Sequence, residues 1–180
     1  MFLFDSLQGL NVTTLQHLNN IPRMKITFLT VGKTEDAYLK DGIEKYVKRL
    51  KHYTRLEITD LPELKNTKAL TAEQQKAKEA DMILKKIVPT DFVILLDENG
   101  SEFSSKQFAN YLDKKNISAA ASLVFIVGGP YGFDQSVYTR ANDKISLSRM
   151  TFSHQMVRLF FVEQLYRAFT IIKGEPYHHE

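Results

Sequence analysis

From Met24 onward the spacing of hydrophobic and polar positions changes repeatedly, and the changes mark out alternating strands and helices. Lys25 to Val31 is a short β-rich run ended by Gly32. Between Glu35 and Lys51, Leu39, Ile43, Tyr46, Val47 and Leu50 recur at helical spacing, which predicts an amphipathic helix. Thr54 to Asp60 alternates as a strand does and closes at Leu61-Pro62. Thr71-Ala72-Glu73-Gln74 has the residues of a capping box, predicting a helix through Ile87 that Pro89 stops. DFVILLD, residues 91–97, is the continuous apolar run of a buried strand. Ser104-Ser105 opens a helix to Asn116, and a strand then runs into Gly128. A short helix from Asp134 to Ala141 and a strand from Lys144 to Ser148 follow. The last element, TFSHQMVRLFFVEQLYRAFTIIKG, is a long helix stopped at Gly174. Such alternation predicts an α/β fold with a largely parallel sheet, whose ligands sit outside the carboxyl ends of the strands.

Residues 1–23 fit neither period, and they lack the basic start of a secretory signal. They are expected to be a dispensable N-terminal extension, with one domain spanning 24–180. A chain of 180 residues can bury a core without staples, and this one contains no cysteine. Disulfides, thiolate metal sites and cysteine nucleophiles are thereby excluded, and a reducing compartment fits. No apolar run approaches the ~20 residues of a membrane span. The net charge of +3 does not by itself point to nucleic acid.

At the end of the strand 123–127, Gly128-Gly129-Pro130-Tyr131-Gly132 admits three readings. One is a tight turn, with glycine for positive φ and proline for a fixed bend. The second, a phosphate cradle, is disfavoured: both glycine-loop fingerprints are absent, and Asp134 opens the next helix where an anion needs positive charge. The third is a close backbone approach to a ligand. The pattern leaves the first and third open.

Residues 144–173 carry five basic side chains against one acid, Glu163, on a helix that is apolar almost all round. So wide an apolar surface predicts burial against a partner subunit as well as the core. Glu163 and Arg167 have the spacing of an i,i+4 ion pair. His154 and Arg158 share another face, where structural and functional roles are equally open. The tail Pro176-Tyr177-His178-His179 joins a rigid bend, an aromatic ring and two titratable groups, although adjacent histidines do not converge on one metal ion. Lys40, Lys45, Lys48, Arg49, Lys51 and Arg55 cluster within sixteen residues, which reads as a solvated helix face or as a track for phosphates.

The string LSRMTFSHQMVRLFFVEQLYRAFTIIKGEPYHHE, with IVGGPYG and the opening MKITFLTVGK, closely resembles the RlmH family of the SPOUT superfamily across residues 24–180. The resemblance implies an α/β knot, in which the C-terminal segment threads a loop to form a trefoil. It implies methylation of N3 of pseudouridine in helix 69 of large-subunit ribosomal RNA, on the ribosome, with S-adenosylmethionine as methyl donor. Laid on this sequence, the cofactor residues are Leu96, Gly128, Leu147, Ser148, Arg149, Met150, Thr151 and Phe152. Arg158, Tyr177, His178 and His154 are the candidates facing the target base, with His178 a possible general base. A homodimer is implied, the tail of one subunit completing the other's site, in a cytoplasmic protein without metal or membrane. The alternatives are a knot-class methyltransferase with another RNA target and a non-catalytic ribosome-binding dimer.

Overall fold

The computed structural model describes residues 24–117 and 122–177, so the expected extension and the two tail histidines lie outside the described residues. The elements run β1 (Lys25–Val31), α1 (Ala37–Leu50), β2 (Arg55–Leu61), α2 (Ala72–Leu84), β3 (Phe92–Glu102) and α3 (Ser105–Ile117). They continue with β4 (Leu123–Val127), α4 (Gln135–Arg140), β5 (Asp143–Ser146) and α5 (His154–Ile172). The strands form one sheet in the order β2-β1-β4-β3-β5, and every neighbouring pair is parallel. The expected α/β fold with a parallel sheet is therefore present.

The apolar runs conceal a period of two, because both faces of the sheet are covered. Ile26, Phe28, Ile94, Leu123 and Phe125 join Phe108, Leu112, Phe161 and Leu165 in one core layer. The alternate positions Leu29, Val31, Val93, Leu95, Val124 and Ile126 pack with Ala80, Ile83 and Val137 in the other. Helices α1 and α3 pack against α5, while α2 and α4 cover the opposite face. No described helix is long and apolar enough to cross a membrane.

Several boundaries shift by a few residues, and for three the local reason is plain. Helix α2 has the predicted capping box, with the Thr71 hydroxyl and the Gln74 amide each bonding the other's backbone N–H. It ends at Leu84 and does not reach Ile87; Pro89 disfavours helical backbone at Val88, whose N–H goes to Asp91 Oδ2 at 2.9 Å. Strand β3 continues past Asp97 to Glu102, because its pairing with β5 resumes after a bulge. Ile145 is opposite Leu96 before the bulge and opposite Ser101 after it. Gly100 permits this, since a Cβ there would lie 2.5 Å from the backbone of Ile145. Strand β5 stops at Ser146, and Leu147 and Ser148 leave the ladder.

Candidate functional site

The carboxyl ends of β4 and β5 and the bulge of β3 between them open into a cavity of about 410 Å³. Leu96, Gly128, Leu147, Ser148, Met150, Thr151 and Phe152 all line it, together with His154 at the start of α5. Three segments distant in sequence thus meet because their strands are neighbours in a parallel sheet. Side-chain hydroxyls shape the third segment: Ser146 Oγ donates to Ser148 O at 2.9 Å, and Ser148 Oγ accepts the Met150 N–H at 2.9 Å. Ser153 Oγ accepts the Met156 N–H at 3.2 Å and so starts α5 beside the cavity. Phe152 is set by its ring packing on Phe160, with centroids 4.7 Å apart. The lining is apolar at Val127, Leu147, Phe152 and Val157, and acidic at Asp97 and Glu98.

The glycine segment forms the turn that its pattern allowed, and it also borders the cavity. Gly132 N–H donates to Gly129 O at 3.1 Å, closing a turn with Pro130 at its second position, and Gly132 takes φ +74°. Gly128 lies before the turn and lines the cavity; a Cβ there would press on Gly132 O and the Phe133 ring at 3.2 Å. Tyr131, at 56% exposure, is rim and not core.

Other candidates lie elsewhere. Arg149 points out, its Nε donating to both Glu102 carboxylate oxygens, and it does not line the cavity. Arg158 is fully buried and faces a second, larger cavity of about 670 Å³ between β1, β2 and α1. Its guanidinium donates to Val31 O at 2.8 Å and Thr34 Oγ1 at 3.2 Å, while Nε has no partner. Burial lowers its pKa, against the opposing pull of Asp60 and Glu63. One turn earlier Gln155 bonds both Lys33 O and the Glu35 N–H, so α5 clamps the β1–α1 loop twice.

Glu163 and Arg167 form the predicted ion pair at 2.6 Å. The pair also receives the tail: Tyr177 OH donates to Glu163 Oε1 at 3.1 Å, and the Arg167 guanidinium sits over the Tyr177 ring. Burial, the Tyr46 hydroxyl and the Glu163 carboxylate push the Tyr177 phenol up, which disfavours a phenolate at neutral pH. Tyr177 is therefore held by its own chain against α1 and α5, outside the cavity. His178 lies outside the described residues. In the basic cluster of α1, Lys48 pairs with Glu44 at 2.8 Å and Arg49 lies over the Tyr46 and Tyr166 rings.

Pattern reading missed Asp97, Asn99 and Tyr138 at this cavity. Tyr138 OH donates to Asp97 Oδ2 at 2.6 Å, and Asp97 Oδ1 accepts the Asn99 N–H at 2.8 Å. These bonds hold the β3 bulge at the cavity edge. The Asp-Glu-Asn-Gly run after the apolar strand was the available signal, but it also reads as an ordinary turn.

A parallel α/β sheet with a backbone-walled cavity at the β3 bulge and the ends of β4 and β5 is one way to hold a small cofactor, and the sequence specifies which class applies. Residues 24–178 match the family model described as "Predicted SPOUT methyltransferase", and the chain belongs to this family of methyltransferases. Among curated proteins it is 56% identical over 156 residues to the "Ribosomal RNA large subunit methyltransferase H" of Cytophaga hutchinsonii, covering 87% of this chain and 100% of that one. The proteins of the same name from Parabacteroides distasonis and Bacteroides fragilis are each 54% identical over 157 residues, with the same coverage.

Proposed function

We propose that this chain transfers a methyl group from S-adenosylmethionine to N3 of a pseudouridine in helix 69 of large-subunit ribosomal RNA. It acts on the ribosome, as a cytoplasmic homodimer. The observation that carries this reading is the convergence of all the expected cofactor residues but Arg149 on one cavity. The names of the relatives supply ribosomal RNA; the base and the position follow from the family resemblance.

The lining fits the donor. Leu147, Phe152 and Val157 offer an apolar slot for adenine, and the backbone at Gly128 and Leu147-Ser148 can read its edge. Asp97 and Glu98 suit a ligand that carries positive charge. When bound, S-adenosylmethionine supplies a methyl group already activated by its sulfonium. The tasks left to this chain are alignment of the target base and acceptance of the N3 proton. His154, in the cavity wall, and His178, from the tail of the second copy, are the groups for that proton. Arg158 contributes by holding the end of β1 and the β1–α1 loop against α5, and Glu163 holds Tyr177 beside α5. Residues 1–23 take no part, and their deletion leaves folding and turnover intact.

Incubation with labelled S-adenosylmethionine and tRNA, deproteinised ribosomal RNA, isolated large subunits or whole ribosomes tests the reading. Label in ribosomal RNA, released on digestion as N3-methylpseudouridine, is the expected result. Label in tRNA would indicate another target, and no label with any substrate would indicate a non-catalytic ribosome-binding dimer.

A further inference from the structure

The glycine turn has a partner on the side away from the cavity. Glu79, on α2, is only 4% exposed; its carboxylate lies against the backbone N–H side of Gly129 and accepts Gln75 Nε2–H at 2.8 Å. Burial pushes the Glu79 carboxyl up, and Gln75 and the Gly129 backbone oppose the shift. Its oxygens fill the space that any side chain at residue 129 would need, 2.5 and 2.7 Å from an ideal Cβ. A buried acid is costly, and an alanine or leucine on α2 would meet packing needs without that cost. The acid therefore calls for a role beyond packing.

Peptide geometry supplies one. No described peptide is cis, so the Gly128 carbonyl points opposite to the Gly129 N–H in their shared plane. With that N–H turned toward Glu79, the carbonyl turns away from α2. Gly128 itself lines the cavity. We infer that Glu79 is a positioning residue, which fixes the Gly128–Gly129 peptide so that the Gly128 carbonyl is presented as an acceptor to an N–H group of the methyl donor. This rests on the assignment of the cavity under Proposed function.

Calorimetric titration with S-adenosylmethionine, beside thermal melts and steady-state kinetics, tests it in Glu79→Ala, Glu79→Gln, Gly129→Ala and the Glu79→Ala/Gly129→Ala double variant. Loss of one fixed hydrogen bond predicts a Kd about tenfold weaker for Glu79→Ala, with KM for the donor raised and kcat within about threefold. Glu79→Gln should bind within about threefold of wild type, because Gln75 can turn its amide and leave an oxygen for Gly129. Gly129→Ala should weaken binding more than about tenfold alone, yet add less than about threefold once Glu79 is alanine, because the clash is gone. If Glu79→Ala does not fold, Glu79→Leu keeps the volume without the acceptor and carries the same prediction. Wild-type affinity in the Ala or Leu variant, or a reduced active fraction at unchanged Kd, overturns the inference. Equal Gly129→Ala penalties in both backgrounds do the same. If wild type itself fails to bind, the cavity assignment falls first and takes the inference with it.

Discussion

Two cavities open along the carboxyl edge of one sheet, and the larger is not the one assigned to the methyl donor. The cavity at β1 and β2 measures about 670 Å³ and holds the fully buried Arg158. Its polar groups are largely committed to each other and to the loop: Arg158 to Val31 and Thr34, and Thr30 Oγ1 to Asp60 Oδ1 at 2.7 Å. The cavity at β3, β4 and β5 is smaller, about 410 Å³, but three chain segments supply it with backbone and its acids lie at the edge. Volume measures space. What favours the smaller cavity is the backbone that three chain segments bring to its wall.

Substitutions on the two sides should separate these roles. The largest effect is expected from Gly128→Val, whose side chain enters the smaller cavity where even a Cβ is crowded. Methyl transfer should fall by about 100-fold or more through lost donor binding, with a stability cost of about 1–3 kcal/mol seen in melts. Next is sharing between subunits. In the proposed homodimer, each variant, Gly128→Val or truncated after Lys173, should be inactive, whereas mixed dimers of the two should recover about one site. Absence of recovery in subunit-exchange assays would argue against a shared site.

Arg158→Met on the larger cavity should be milder. It removes two hydrogen bonds, to the end of β1 and to the β1–α1 loop, and lowers stability by about 1–3 kcal/mol, while calorimetry should show donor affinity unchanged. The smallest effect concerns pH. The folded pKa of Glu79 lies above its usual value, so the native state binds the extra proton and Glu79 lowers stability as pH rises through that interval. Melts of Glu79→Gln against wild type should diverge as pH rises from the ordinary carboxylate range and become parallel above the folded pKa.

How much of this was legible depends on the range of the interaction. The capping box at Thr71–Gln74, the pair Glu163–Arg167 and the helix stop at Gly174 are local, and residue spacing reveals them. Strand order is not local, so the pattern alone could not say that Leu96, Gly128 and Leu147 meet; the family resemblance supplied that grouping. Neither source showed that His154 and Arg158, one helical turn apart, face different cavities. Glu79 was hidden for another reason. It lies in QQKAKEAD, where charges every few residues read as a solvated face, and only the packing of α2 on the glycine turn buries it.

The most direct test of the account is calorimetric titration of S-adenosylmethionine into wild type, Gly128→Val and Arg158→Met. Saturable binding by wild type and by Arg158→Met, with loss in Gly128→Val, is the predicted result. Binding retained by Gly128→Val and lost by Arg158→Met would place the donor in the larger cavity and contradict the account.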